Sequence, residues 1–300
     1  MLQWTNVFYS YRRTRDKRLN SKIHTKVSYN LLKGKKGIIF GALNDASIAW
    51  KVAEHVCDEG AEIVLTNTPT SIRLGEIEEL AKRCGAPVFP ADATNETDLS
   101  DLVEKTMEHF GSKVDFVLHS IGMSPNVRKG IPYEEINYTF MQKTLDVSAI
   151  SFHKLLQVLY AKDAVKEGGS ILALTYIAAE RAFSGYGDMA DAKALLESIT
   201  RSFGLKYGKH RKVRVNTISQ SPTLTTAGQG VSGMKDMFRY ADTLSPLGNA
   251  SADDCADYVV SLFSDLTRKV TMQNLYHDGG FSSTGLTTEV LDIFMKGLEV

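Results

Sequence analysis

The sequence lacks an excess of charge of either sign. Its 35 basic and 35 acidic side chains leave a formal net charge of zero, which removes the basic footprint of a nucleic-acid binder. No apolar run approaches the roughly 20 residues a membrane-spanning helix needs, so no membrane partner is expected. Cysteine is scarce. Cys57, Cys84 and Cys255 are odd in number, far apart in the sequence and form no CxxC pair. Reduced, mostly buried thiols in the cytoplasm are therefore expected, not a disulfide framework. The seven histidines show no HExxH or similar spacing, and no metal site is expected. There is no internal repeat, no low-complexity linker, and no GxGxxG dinucleotide fingerprint.

What remains is ordinary globular material. With 43% hydrophobic and 23% charged residues over 300 positions, nearly all of the chain can form one large α/β domain. The first 26 residues differ. Arg12, Arg13, Arg15, Lys17, Arg18, Lys22 and Lys26 face a single acid, Asp16. An organelle transit peptide, a solvated basic tail, and an upstream start with Val27 as the true initiation site all fit that composition. No continuous apolar stretch follows the charges, which argues against a secretory signal. Residues 1–26 are expected to be a disordered extension, and residues 27–300 a single domain.

From Lys36 onward, short β-rich runs alternate with amphipathic segments. Strands are predicted at Gly37–Gly41, Glu62–Thr66, Pro87–Pro90, Val114–His119, Ser170–Thr175, Val213–Thr217 and Thr271–Tyr276. Helices are predicted at Ser47–Glu59, Ser71–Cys84, Thr97–Phe110, Phe140–Tyr160, Tyr186–Tyr207 and Ala252–Phe263. Ile48, Val52 and Val56 form one apolar stripe; Gly85 and Gly111 are placed to end their helices. Strict alternation predicts a parallel sheet covered on both faces. Ser219–Pro246 interrupts it, rich in Gly, Ser, Thr and Pro, with only a short apolar segment at Met234–Tyr240. So long an irregular insertion is usually functional, and it is the candidate lid.

Candidate chemistry gathers at predicted strand ends. Tyr176, Tyr186 and Lys193 lie where a strand gives way to a helix. A phenol can protonate a developing oxyanion; an ammonium seven residues on lies roughly 10 Å further along nearly the same helical face. Gly41 permits close backbone approach, and Ser47 is placed as an N-cap or phosphate ligand at a helix N-terminus. A capped turn without a ligand would read the same. Asp92 could accept a hydrogen bond from an adenine amino group, or cap the next helix. Gly122 could let a cofactor lie against the sheet edge, or simply end a strand. All sit at carboxyl ends of strands, where open α/β sheets bind ligands.

These residues together resemble the short-chain dehydrogenase/reductase superfamily, and within it the divergent NADH-dependent enoyl-acyl-carrier-protein reductase family, over about Leu31 to Phe281. The motifs are Gly41-x5-Ser47-Ile48-Ala49, His119-Ser120-Ile121-Gly122, Tyr176-x9-Tyr186-x6-Lys193, Arg214-Val-Asn-Thr-Ile-Ser219 and His277-Asp-Gly-Gly-Phe281. Ordinary superfamily members use Tyr-x3-Lys with a serine 13 residues before the tyrosine. Here Ala173 and Ala190 stand at those positions. Tyr29 and Lys33 have that spacing but precede the first strand. The resemblance implies a single Rossmann-type, doubly wound parallel sheet with helices on both faces and a substrate-binding lid over about 219–246.

The resemblance also implies roles. Tyr186 would hydrogen-bond a thioester carbonyl, Lys193 would hold the nicotinamide ribose, and Tyr176 would line the substrate pocket and share in catalysis. Gly41, Ser47, Ile48, Asp92, Ala93 and Ile121 match cofactor contacts, as do Thr223, Leu224, Thr225, Thr226 and Ala227; Ser124 matches a substrate contact. Two departures stand out. Gln220-Ser221-Pro222 replaces the family's Ala-Gly-Pro, and Thr68 falls where a glutamine often meets the adenosine, which leaves NADH against NADPH open. The implied activity is reduction of trans-2-enoyl-acyl-carrier-protein thioesters in fatty-acid synthesis, with NADH as cofactor, the carrier protein as partner, a homotetramer as assembly and the cytoplasm as location. A short-chain ketone or alcohol oxidoreductase and a non-catalytic cofactor sensor of the same fold are the alternatives.

Overall fold

The computed structural model describes residues 28–223, 225 and 234–298. The basic extension expected over 1–26 lies outside the described residues. Six parallel strands form one sheet: β1 (Lys36–Phe40), β2 (Glu62–Thr66), β3 (Val114–His119), β4 (Val165–Thr175), β5 (Arg214–Gln220) and β6 (Asn274–His277), in the order β2-β1-β3-β4-β5-β6. Successive residues of each strand feed opposite faces. Ile38, Phe40, Val117, Ile171 and Val215 enter one core layer. Ile39, Leu65, Leu118, Leu172 and Ile218 enter the other. Both faces are covered, so the centres of β1 to β4 are continuous apolar runs, Ile38–Phe40, Ile63–Leu65, Phe116–Leu118 and Ile171–Leu174.

Helices cover each layer. On one side lie α1 (Ile48–Asp58), α2 (Pro69–Leu74) and α3 (Ile77–Cys84). On the other lies α4 (Glu96–Phe110), capped by Asn95, whose side chain accepts from the Thr97 and Asp98 amides at 2.9 and 3.2 Å. The chain continues through α5 (Pro125–Arg128), α6 (Tyr138–Leu145), a π turn at Asp146–Ile150, α7 (Ser151–Ala161) and α8 (Gly187–Arg211). Last come α9 (Met234–Leu244), α10 (Ala252–Phe263), which returns to pack on α1, and α11 (Thr288–Leu298).

The alternating architecture is as the sequence predicts, with local corrections. The strand expected at Pro87–Pro90 survives as one parallel bridge, Leu65 to Val88; prolines on either side withhold the amides a ladder needs. The helix expected over Ser71–Cys84 breaks at Gly75, whose backbone is extended (φ −101°, ψ −170°) and whose added Cβ would lie 2.6 Å from the Leu43 carbonyl oxygen. The last strand starts at Asn274, not Thr271, because Met272 takes a left-handed conformation (φ 62°). Helix α11 is an element the sequence reading missed.

Strand order reverses between β1 and β3: the chain moves outward from β1 to β2, then crosses back. That switch point opens a crevice at the carboxyl edge of the sheet, and the candidate residues that are described converge there.

Candidate active site

A cleft of about 680 Å³ runs along this edge. Gly41 ends β1 with φ 93°. An added Cβ would sit 2.0 Å from the Ser120 carbonyl oxygen of the neighbouring strand. The close approach Gly41 permits is therefore strand to strand, at a position that also lines the cleft. Ser47 holds the N-cap position of α1 and lines the cleft, but its side chain caps no helix amide. Its hydroxyl accepts from the Leu43 and Asn44 amides at 3.2 and 3.1 Å, closing the turn behind it, and makes no cap bond to α1. The consequence favours a ligand. Helix α1 begins at the cleft, where Ser47 and Ile48 line the wall, and its N-terminus has no side-chain cap, the kind of helix end at which anions are stabilised.

Asp92, Ala93 and Ile121 line the same cleft. One Asp92 oxygen, Oδ1, accepts from the Thr94 amide and hydroxyl at 2.9 and 2.7 Å. Oδ2 accepts no hydrogen bond from the described residues and remains for a ligand donor. Thr68 caps α2 and lines the far end of the cleft. Among the described residues, the cations lining the cleft are Arg128, Lys143 and Lys193, all on other segments than Thr68. Thr223 and Thr225 line the opposite wall; Leu224, Thr226 and Ala227 lie outside the described residues.

The reactive end holds the tyrosine pair. Tyr176 ends β4 and Tyr186 opens α8, with ring centroids 5.1 Å apart and planes inclined by 50°. Burial pushes both phenols well above the ordinary tyrosine range, so both stay protonated and able to donate. The Tyr176 hydroxyl reaches Met237 Sδ on α9 at 3.7 Å. The Tyr186 hydroxyl has no hydrogen-bond partner among the described residues. Two turns along α8, Lys193 Nζ donates to the Leu174 carbonyl at 2.8 Å. Burial holds its ammonium down to about 8, partly countered by Glu197. Gly122 faces it: a Cβ there would stand 3.6 Å from Nζ. Helix α9 packs Ala241 and Leu244 against Tyr176, Ile177 and Phe281, so part of the expected lid covers the tyrosines.

Beneath this surface lies a buried polar layer the sequence reading left without roles. Asp188 is fully buried and accepts from the Ser124 hydroxyl at 2.5 Å, Asn126 Nδ2 at 2.8 Å and the Thr144 hydroxyl at 2.8 Å. Ser124 lines the cleft, but its hydroxyl also accepts from the Val127 amide at 3.0 Å. It is engaged within the protein, which weakens its expected part as a substrate contact. Glu197, one turn beyond Lys193, accepts from Thr175 and Asn274 at 2.8 and 3.2 Å; the i,i+4 pairing with Lys193 is visible in the sequence. Gln220 Nε2 donates to the Ala250 carbonyl at 3.1 Å, and its Oε1 meets His277 Nδ1 at 2.7 Å. The unusual Gln220-Ser221-Pro222 thus anchors the start of the segment expected to form the lid.

His119 belongs to this layer. The Ser151 hydroxyl donates to the Val147 carbonyl at 2.7 Å, so it must accept from His119 Nε2, 2.9 Å away. That fixes the proton on Nε2 and leaves Nδ1 a buried acceptor without a partner among the described residues. Burial, with Lys193 nearby, holds the imidazole down to about 3. It is neutral at physiological pH.

An uncapped helix N-terminus at a sheet's switch point, with protonated phenols and a buried ammonium along the same edge, defines the class: a dinucleotide-dependent oxidoreductase of the doubly wound type. Comparison with known proteins narrows it. A family model described as enoyl-(acyl carrier protein) reductase matches residues 41–282. The enoyl-[acyl-carrier-protein] reductase [NADH] 2 of Rhizobium meliloti is 34% identical over 262 residues, 86% of this chain and 95% of that protein. The structure of a FabI–NADH complex from Alistipes finegoldii is 68% identical with a TM-score of 0.85, covering 86% of this chain and 92% of that one. The Aquifex aeolicus enoyl-[acyl-carrier-protein] reductase (NADH) is 29% identical with a TM-score of 0.79, over 86% of this chain and all of that one. The chain belongs to the enoyl-(acyl carrier protein) reductase family.

Proposed function

We propose that this enzyme reduces the trans-2 double bond of enoyl thioesters borne by acyl-carrier protein, using NADH, in fatty-acid synthesis, with Tyr186 as the oxyanion donor. The observation that carries the assignment is the Tyr186 hydroxyl: protonated, on the cleft wall, and with no protein partner among the described residues. The cleft fits a dinucleotide. The uncapped start of α1 suits a pyrophosphate, the remaining Asp92 oxygen an adenine amino group, and Lys193 the nicotinamide ribose. The bound nicotinamide supplies hydride to the β-carbon of the substrate.

The protein's own work follows from its side chains. As negative charge builds on the thioester oxygen, Tyr186 O–H donates to it. A preorganised donor in a water-poor site stabilises such charge without reorganising. Tyr176, held by Met237 and Tyr186, shapes the acyl pocket and offers a second hydroxyl. Lys193 would hold the nicotinamide ribose with its ammonium. Ala173 supports this reading over ketone reduction: it is buried within β4 and offers no hydroxyl where ketone reductases of the superfamily carry serine. Helix α9 and the limb anchored by Gln220 form the lid over the acyl chain.

A homotetramer in the cytoplasm completes the proposal. Helix α11 supports assembly: none of its residues is buried, and Ile293, Phe294 and Leu298 are 64%, 59% and 65% exposed. Three free thiols fit the reducing cytoplasm. Among the described residues, no helix is long and apolar enough to cross a membrane. The test is NADH oxidation with crotonyl and longer enoyl thioesters beside a 3-oxoacyl thioester. Turnover of the enoyl substrates is expected. A preference for the 3-oxoacyl substrate would overturn the assignment.

A further inference from the structure

Two cysteines 27 positions apart in the sequence meet behind the cleft. Cys57 lies in the last turn of α1, and Cys84 is the final residue of α3. The Cys84 thiol donates to the Ala53 carbonyl at 3.8 Å, one turn before Cys57 on the same helix. That carbonyl is the one the Cys57 amide bonds within the helix, so the Cys84 sulfur lies beside Cys57; the neighbouring thiol lowers Cys84 and raises Cys57 from the ordinary cysteine value. Arg83 adds a cation beside Cys84 and pairs with Glu54 of α1, which also accepts from Trp50 Nε1 at 2.9 Å. Cys57 and Cys84 are both half-buried, whereas Cys255 is fully buried. A thiolate-favouring, partly exposed sulfur next to a second thiol is the arrangement of a redox pair.

We propose that Cys57 and Cys84 form a reversible disulfide with hydroperoxides as oxidant. The Cys84 thiolate attacks the peroxide oxygen. An S–O bond forms, the O–O bond breaks, and the leaving alkoxide or hydroxide takes the proton of Cys57. The Cys57 sulfur then displaces the oxygen of the Cys84 sulfenic acid, forming S–S and releasing water. Two thiols lose two electrons and two protons; the peroxide gains them as alcohol and water. The bond ties α1 to α3. The loop it closes holds Asn67, Thr68 and Ser71, which line the cleft, so oxidation state and the adenosine wall are mechanically joined.

The test treats the purified reduced enzyme with hydrogen peroxide, quenches it, and maps peptides without reduction. The intact chain should lose two hydrogens in mass, yield one peptide pair joining Cys57 to Cys84, leave Cys255 reduced, and revert with dithiothreitol. In Cys57→Ser, Cys84 should stop at the sulfenic acid and be trapped by dimedone; in Cys84→Ser neither the cross-link nor the trapped adduct should form. The oxidised wild type should melt higher than the reduced form by on the order of 5 °C. Both thiols remaining free to alkylate, over-oxidation of Cys84 without a cross-link, or bonding only between chains would overturn the proposal. The wild-type peptide map decides even where a serine variant fails to fold.

Discussion

Tyr186 and Tyr176 differ by the partner of one oxygen atom, and their expected effects differ accordingly. Tyr186→Phe should lower turnover about 100- to 1,000-fold, the usual loss on removing an oxyanion donor, while NADH affinity stays at the wild-type value. Tyr176→Phe should do less, since its hydroxyl already rests on Met237. Steady-state kinetics at saturating NADH with an enoyl thioester separates them; a dead Tyr176→Phe beside an unaffected Tyr186→Phe would reverse the roles. Lys193 carries the opposite tension between function and stability. Burial lowers its ammonium to about 8, so between that pH and the ordinary lysine value the unfolded chain holds a proton that the folded chain has released. Stability from this group therefore rises with pH across that window, and below it the full cost of a buried cation is present. Lys193→Met should lose NADH binding yet melt higher than wild type at pH 7, and the gap should shrink near pH 10. Calorimetry of the cofactor-free enzyme at the two pH values checks the sign. In the wild type, the KM for NADH should climb as pH passes about 8.

Among the elements, Gly41 and Gly122 end adjacent strands on the same cleft but carry different constraints. Gly41→Ala meets the Ser120 carbonyl at 2.0 Å with φ at 93°. Overpacking and left-handed strain together should cost about 2–4 kcal/mol in urea unfolding. Gly122→Ala meets Lys193 Nζ at an ordinary 3.6 Å; its stability should stay near wild type while its KM for NADH rises. The element scale also shows what the sequence could and could not disclose. Val114–His119 and Ala252–Phe263 were legible to the residue because a Phe116–Leu118 apolar centre and a Ser251–Asp254 capping box mark them. The Tyr176–Tyr186–Lys193 spacing was legible because it tracks a strand end and a helix start. The reversed duty of Ser47 was not, since a hydroxyl that closes its own turn and one that caps a helix look alike in sequence. Nor were Asp188 and His119, whose partners arrive from distant segments at Ser124, Thr144 and Ser151. The meeting of Cys57 with Cys84 required knowing how α3 packs on α1. Helix α11 was missed because its apolar residues do not face this chain's core.

That last point governs the whole molecule. Each side of the sheet is sealed by helices from the same chain, yet α11 keeps Leu291, Ile293, Phe294, Met295 and Leu298 in contact with solvent. A stretch of apolar side chains this concentrated marks an association surface, and a second copy of the chain is the partner the proposed tetramer supplies. The helix does not stand apart from the site: α11 packs against α9, Val290 packs on the cluster that includes Tyr176 and Phe281, and Met237 of α9 touches the Tyr176 hydroxyl. Covering α11 would therefore brace the lid from behind. Ile293→Glu with Phe294→Glu places two charges on that surface, far from the reacting atoms and outside the nucleotide cleft. The double variant should fold with the wild-type circular dichroism spectrum and bind NADH as before. Its mass by light scattering should fall below four chains, and its KM for the enoyl thioester should rise more than its kcat falls, because the lid loses support while Tyr186 and Lys193 remain in place. An unchanged mass would show that α11 is not part of the assembly interface. A reduced mass with unchanged KM would show that assembly and lid are independent.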